Sequence, residues 1–190
     1  MPRTRPAVRI RKISPDDLPK VRKLLEEHAH LFDPRFSPKA IETEIEQLRK
    51  YETGLVAERA GEVVGFVRYG HTPHRIDDLR NLGLAKPGQE RHGYIFSLLV
   101  HPKHSQQGVG TRLVEEAIDR IKKMKYPDGR PIREVVMTHH EGNKGTARIG
   151  KKLKFREVGR VEASGRERHR LTVILHKPLR RGRGRAFRPA

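Results

Sequence analysis

Apolar residues in this chain recur at two spacings, and each switch between them marks the edge of an element. Val8–Lys12 alternates apolar and basic positions, as a strand with one buried face does. Ser14-Pro15-Asp16-Asp17 then supplies an N-cap, a proline for the first helical position and acids for the positive end of the helix dipole. Leu18, Val21, Leu24 and Leu25 follow at helical spacing, and Ser37-Pro38 repeats the start signal before Ile41, Ile45 and Leu48. Leu55–Glu58 and Val63–Tyr69 read as a hairpin turning at Ala60-Gly61. From Gly70 to Gly93 periodicity dissolves into Pro, Gly, His and Arg, which predicts a long loop, either functional or disordered. Tyr94–Val100 is a dense apolar run ending at His101-Pro102 and is the best central strand. Leu113, Val114, Ala117, Ile118 and Ile121 predict a helix running to about Met124, and Tyr126–Arg130 a turn. Glu134–Met137 is a buried strand, Asn143 to Leu153 a helix, and Phe155–Val161 with Leu171–His176 a closing hairpin. The order βααββ–βαβα–ββ argues an α/β fold, a mixed sheet flanked by helices.

Length and composition narrow this picture. With 190 residues, one domain is expected, spanning 8–178 between a basic segment, 1–7, and a basic tail, 179–190. The chain has no cysteine, which excludes disulfides and thiolate catalysis and fits a reducing compartment. No stretch approaches the ~18–20 apolar residues of a membrane span, and the N-terminus lacks the apolar centre of a secretory signal, so the cytoplasm is the expected location. The formal net charge of +19 is concentrated. Arg3, Arg5, Arg9, Arg11 and Lys12 precede any acid, Lys144–Arg156 holds a second group, and the tail RRGRGRAFRP carries five arginines and no acid. Such a field attracts polyanions, whether nucleic acid, ribosome or CoA; solubility or thermal adaptation is the other reading for the body of the chain. Arginine interleaved with glycine builds no core, so the tail is expected to be a flexible polyanion-binding arm.

Chemistry concentrates in Leu98-Leu99-Val100-His101-Pro102-Lys103-His104-Ser105-Gln106-Gln107-Gly108-Val109-Gly110-Thr111-Arg112-Leu113. A buried strand runs through a tight loop with two glycines into an amphipathic helix. Free N–H groups at a helix start form an anion site, and glycines at 108 and 110 let a pyrophosphate approach the backbone. Leu113 stands where the last glycine of a GxGxxG dinucleotide fingerprint would be, and no Lys-Ser/Thr pair completes a Walker A loop.

The run LLVHPKHSQQGVGTRLVEEAI resembles the core motif of the GNAT acetyltransferase family, in which L-x-V-x-P leads into [Q/R]-x-x-G-x-[G/A]. RIRKISPDDLPKVRKLL resembles that family's first strand and helix, and NKGTARIGKKLKFREVGRV its late N-x-x-A-x-x-x-Y-x-x-x-G-F-x-x-x-G stretch. The resemblance implies a single domain with a mixed, mostly antiparallel sheet of six to seven strands, the fourth and fifth splayed around acetyl-CoA. It implies that the Leu98 N–H faces the acetyl carbonyl as an oxyanion contact and that the Val100 backbone pairs with the pantetheine arm. Ser105, Gln106, Gln107, Gly108, Val109 and Gly110 would hold the pyrophosphate through their amides and Thr111 through its hydroxyl, with Asn143 at the pantetheine or a nearby water.

Several positions depart from the pattern. Ser105 occupies the usual Gln/Arg position, Thr146 the usual alanine, and Lys154 the glycine before Phe155, which implies a changed turn. The tyrosine that usually protonates the leaving thiolate falls on Gly150. Tyr94–Val100 also lacks the strand-four glutamate of many relatives. Candidate bases are His139 and His140 at the end of the fifth strand, then Glu141, Tyr94 and Glu90; imidazole suits base work near neutrality. The pairs His28/His30, His71/His74, His101/His104 and His139/His140 have no carboxylate or third histidine at ligand spacing, so no metal is expected.

The leading expectation is therefore transfer of acetyl from acetyl-CoA to a primary amine by direct attack, with a protein or RNA-borne acceptor suggested by the basic flanks. A GNAT scaffold with reduced catalysis that binds CoA, RNA or the ribosome is the alternative. A polyamine or antibiotic acetylator ranks third, because Asp77, Asp78 and Glu90 alternate with Arg75, Arg80 and Arg91 and make a poor acidic pocket.

Overall fold

The computed structural model describes residues 7–31, 37–51, 53–71, 76–85, 92–162 and 171–179. Residues 1–6, the tail from 180 and Glu90 lie outside them. Seven strands form one sheet in the order β1-β2-β3-β4-β5-β7-β6. They are β1 (Arg9–Lys12), β2 (Gly54–Arg59), β3 (Glu62–Gly70), β4 (His92–Val100), β5 (Glu134–His140), β6 (Arg156–Glu162) and β7 (Leu171–Pro178). Every pairing is antiparallel except β4 with β5.

Helices α1 (Leu18–His28), α2 (Pro38–Tyr51), α3 (Ile76–Asn81), α4 (Val109–Lys123) and α5 (Lys144–Lys152) cover the two faces. The alternation of strand side chains divides the core accordingly. Leu55, Val67, Ile95 and Met137 face α4, whose Leu113, Val114, Ala117, Ile118 and Ile121 are buried against them. Val56, Phe66 and Leu99 point the other way, onto Val21, Leu25, Ile41, Ile45 and Leu48 of α1 and α2. Tyr94, Val136 and Ile174 meet a third cluster with Leu79 and Ala85. The stretch expected to be a loop from Gly70 to Gly93 thus contains α3, and β4 begins at His92. Its apolar residues are too few to show a helical period, and burial beside Tyr94 settles their conformation.

Two backbone expectations change in detail. Pro15 opens a 3-10 turn, Pro15–Asp17, and the α-helix proper starts at Leu18. Lys154 keeps the left-handed conformation of the glycine it replaces, with φ of 61°. The Phe155 amide donates to Gly150 O at 2.9 Å and the Lys154 amide to Lys151 O at 3.1 Å, so α5 ends in a Schellman-type turn that tolerates a lysine.

One irregularity matters more than the rest. Arg68 pairs with Ser97 but Tyr69 pairs with Ile95, which leaves Phe96 as an extra residue on β4. Such a bulge bends its strand and increases the local twist. The Phe96 ring is held on two sides, stacked on Tyr94 at 5.8 Å and lying 4.4 Å from the Arg68 guanidinium. Arg68 is fixed in turn by Glu44 of α2, donating from Nε at 2.7 Å and from Nη2 at 2.9 Å.

Glu44 is buried and Arg68 half-buried, so removing the carboxylate strands a largely desolvated charge. Glu44→Gln is expected to cost about 3 kcal/mol in urea unfolding, whereas Glu42→Gln, which breaks an exposed pair with Arg22, leaves the midpoint unchanged. A second test concerns pH. Arg11 donates to Asp17 at 2.6 and 2.8 Å and, with hydrogen bonds from Ser14, holds its carboxyl at about 2, against an ordinary 3.8. A depressed carboxyl stabilises the fold above its unfolded value and loses that contribution as pH falls through its folded one. About 2 kcal/mol should disappear between pH 4 and pH 2, and the stability difference between wild type and Asp17→Asn should shrink over that window.

Candidate functional site

Strands β4 and β5 are joined by four residue pairs, from His92↔Glu134 to Ile95↔Met137, and then part. Parting begins at Phe96, where the bulge turns β4 away. Phe96–Val100 and Thr138–His140 therefore border a gap, and backbone groups along its edges lack a strand partner across it.

At the end of β4 the chain makes a 3-10 turn, Pro102–His104, capped by His101, whose Nδ1 accepts the Lys103 amide at 3.1 Å. Burial and the neighbouring His28 and His104 push the His101 imidazole below its ordinary pKa. Ser105 closes this turn, donating its amide to Pro102 O at 3.0 Å and its hydroxyl to the same oxygen at 2.7 Å. Gln106 at φ 59° and Gly108 at φ 80° then curl the backbone into the N-terminus of α4. Among the described residues, the amides from Gln106 to Thr111 find no acceptor. Successive unpaired amides at the positive end of a 15-residue helix form an anion site.

That loop opens into a cavity of about 560 Å³. Of the residues expected at a cofactor, Leu98, Val100, Ser105, Gln106, Gly108, Gly110, Thr111 and Asn143 line it. Gln107 and Val109 do not. Gln107 turns outward, accepting from Arg59 Nη1 at 2.8 Å and donating to Lys103 O at 2.9 Å, while Val109 packs in the core at 2% exposure. Asn143 caps α5, its Oδ1 accepting the Thr146 amide at 3.0 Å. Gly110 lets α4 and α5 approach: a Cβ there would sit 3.0 Å from Ile149 Cδ1 and 3.5 Å from Val100 Cγ2. Gly145, Thr146, Arg148, Ile149 and Lys152 complete the wall, and the sequence reading missed them as site residues. Their signal was the i, i+3, i+4, i+7 spacing of 145, 148, 149 and 152 on one helix face. The lining carries two cations and no carboxylate. Free amides, Arg148 and Lys152 make this wall suited to an anion.

The proton-transfer candidates lie apart from this wall. Register puts His139 opposite Val173 and His140 opposite Thr172, so their side chains leave β5 on opposite faces. His140 Nδ1 accepts the Gly142 amide at 3.0 Å, which places a neutral ring's proton on Nε2. His139 is the reverse: its Nδ1 lies 2.8 Å from His140 O, a carbonyl that can only accept, so Nε2 keeps the lone pair. Glu141 is exposed and paired with Arg160 at 3.0 Å, and Tyr94 is buried in the third core cluster. Gly150 faces inward, and a Cβ there would meet Leu175 Cδ1 at 2.5 Å. Leu175 occupies the space that a side chain at 150 would need.

Comparison with known proteins agrees with this geometry. The family model described as the acetyltransferase (GNAT) family matches residues 19–132. The ribosomal-protein-alanine N-acetyltransferase from Brucella melitensis is a similar solved structure, 20% identical, with a TM-score of 0.66 over 90% of this chain and 99% of that one. An N-acetyltransferase from Staphylococcus aureus superposes with a TM-score of 0.67 at 16% identity, covering 92% of this chain and 99% of that one. A chain of the NatC complex bound to Gag peptide and CoA gives 0.65 at 17% identity, covering 91% and 99%. At these identities the likeness establishes the fold. Curated protein sequences yield no significant match.

The loop makes a sharp prediction. A Cβ on Gly108 would meet nothing within 4 Å, so Gly108→Ala tests conformation without adding a clash. The left-handed backbone should cost about 1 kcal/mol, and calorimetric CoA affinity should fall roughly tenfold as the amides lose their alignment. An unchanged affinity would show that these amides do not hold the ligand.

Proposed function

We propose, from the premise that this chain belongs to the GNAT acetyltransferase family, that it transfers the acetyl group of acetyl-CoA to a primary amine by direct attack. The observation that carries the proposal is the coincidence of three features: a gap where β4 leaves β5, an amide-lined turn at its rim, and a cation-bearing cavity beside both. Acetyl-CoA supplies a thioester carbonyl, the electrophile. The amides of Gln106–Thr111, with Arg148 and Lys152, bind its phosphates, and Val100 orients the pantetheine arm along the β4 edge. The Leu98 N–H meets the oxyanion that develops as the amine adds, and contacts of that kind are worth most in a site closed to water.

The amine must attack unprotonated, and the leaving thiolate needs little help, since thiols ionise near ~8.5. Among the candidates, only His139 has its proton placed so that Nε2 is left able to accept one. It lies on the α5-facing side of β5, beyond the last pair with β4, and would reach the amine through water. The acceptor is a protein amine, as it is for the ribosomal-protein-alanine N-acetyltransferase of similar fold, and the basic flanks favour one presented on RNA or the ribosome.

A scaffold that binds CoA without turnover is the second reading. What favours it is Leu175 in the place of a phenol at position 150. Purified protein incubated with acetyl-CoA and panels of N-terminal peptides, polyamines and aminoacyl-tRNA separates the two. Amine-dependent CoA release on peptides is expected, and His139→Gln should lower kcat/KM by about 100-fold while His140→Gln changes it little. Tight CoA binding with no release on any amine would establish the second reading instead.

A further inference from the structure

The face of the sheet turned away from the cavity carries a second constellation, at the closed end of the gap. His92 opens β4 and is the cross-strand partner of Glu134, which opens β5. His176 on β7 pairs with Val136, two residues along from Glu134. Strand alternation puts all three side chains on the face of Tyr94, Val136 and Ile174. Glu134 Oε2 lies 2.7 Å from His92 Nε2 and 3.3 Å from His176 Nε2, and one donor atom from each residue falls within 4.8 Å of the others.

These contacts are close without being aligned. His92 is 1% exposed, yet neither of its ring nitrogens makes a hydrogen bond of proper direction, and the same holds for His176 Nε2. Burying imidazole nitrogens without an aligned hydrogen bond is costly. Three ligand atoms within 4.8 Å of one another, with no aligned hydrogen bond among them, are close enough to share one cation. A tetrahedral ion with bonds of about 2.05 Å sets its ligand atoms roughly 3.3 Å apart. The His176–Glu134 distance already has that value, and His92 would retreat by ~0.6 Å from 2.7 Å to match it. Two imidazoles and one carboxylate suit zinc and its transition-metal neighbours, because magnesium and calcium prefer shells of oxygen. The Tyr126 hydroxyl donates to His92 O at 2.8 Å and fixes the backbone behind the first ligand.

We propose that His92, Glu134 and His176 bind one divalent metal ion of the zinc class, and that the ion clamps β4, β5 and β7 at the closed end of the gap. Leu98 lies six residues along β4 from His92, about 20 Å away, so the ion does not touch the reacting groups. Its role is structural. Among the described residues, four pairs are the whole of the union between β4 and β5, and the metal ties the first of them.

Full-length protein stripped with dipicolinate and titrated with zinc or cobalt tests this directly. One equivalent of zinc is expected by elemental analysis after dialysis. The melting temperature should rise by ~5–10 °C when free zinc is a hundredfold above Kd, and the cobalt form should show visible absorption from nitrogen and oxygen ligation. His176→Gln and Glu134→Gln should each weaken zinc binding by at least about 100-fold, while His30→Gln, at an exposed histidine, should not. If either ligand variant fails to fold, cobalt titration of stripped wild type with the other variant still decides. Wild type that binds no stoichiometric metal at micromolar free zinc, with an unmoved melting temperature, would overturn the proposal and leave an ion-paired cluster. Ligand variants that bind as tightly as wild type would overturn it equally.

Discussion

One extra residue on β4 governs the working part of this molecule. Phe96 has no counterpart on β3, and hydrogen bonding between β4 and β5 ends at the residue before it. Had the pairing continued, the two strands would have satisfied each other's backbone groups and left no edge for a ligand. A bulge interrupts the ladder and bends its strand, so it persists where its surroundings hold it. Here the holding is done by a stack: Tyr94 and Arg68 bracket the Phe96 ring, and Glu44 fixes Arg68 from α2. A largely buried ion pair is an expensive way to anchor a helix, since replacing buried pairs by apolar residues is often neutral or stabilising. Its value at this position is direction. A bidentate Arg–carboxylate pair fixes the guanidinium plane, and the phenyl ring lies against that plane.

The opened gap alone would be an apolar slot. The loop after β4 supplies its polarity, and does so with backbone rather than side chains. Ser105 spends its own hydrogen-bonding groups closing the Pro102 turn, and Gln107 is committed to Arg59 and Lys103, so neither side chain is free for a ligand. What remains is a run of amides, curled by left-handed residues at 106 and 108 and aimed by the dipole of α4. α5 adds Arg148 and Lys152 across the cavity. The same helix withholds something: its inward face carries Gly150, and Leu175 fills the space, so the wall carries cations and no acid.

Much of the architecture was legible in advance because its determinants are local. The apolar stripes of α1, α2 and α4, the hairpin at Ala60-Gly61 and the strand–loop–helix around Gly108 each depend on residues within a few positions of one another. The stripe at 145, 148, 149 and 152 was legible too, but its cations read as surface charge until α5 was seen against α4. α3 was not legible, since Leu79 and Ala85 reveal their burial only beside Tyr94 and Val136. The two histidines that end β5 were equivalent as letters. Hydrogen bonds to Gly142 N and His140 O make them opposite tautomers.

The amide-lined loop, the family and the α/β order apart from α3 were therefore determined by the sequence alone, because glycine spacing, helix periodicity and strand alternation act over short distances. The extent of the gap, the opposite tautomers of His139 and His140, and the meeting of His92, Glu134 and His176 were decided by tertiary structure. Each depends on register between strands distant in the chain, and a shift of one residue would turn every side chain involved to the other face.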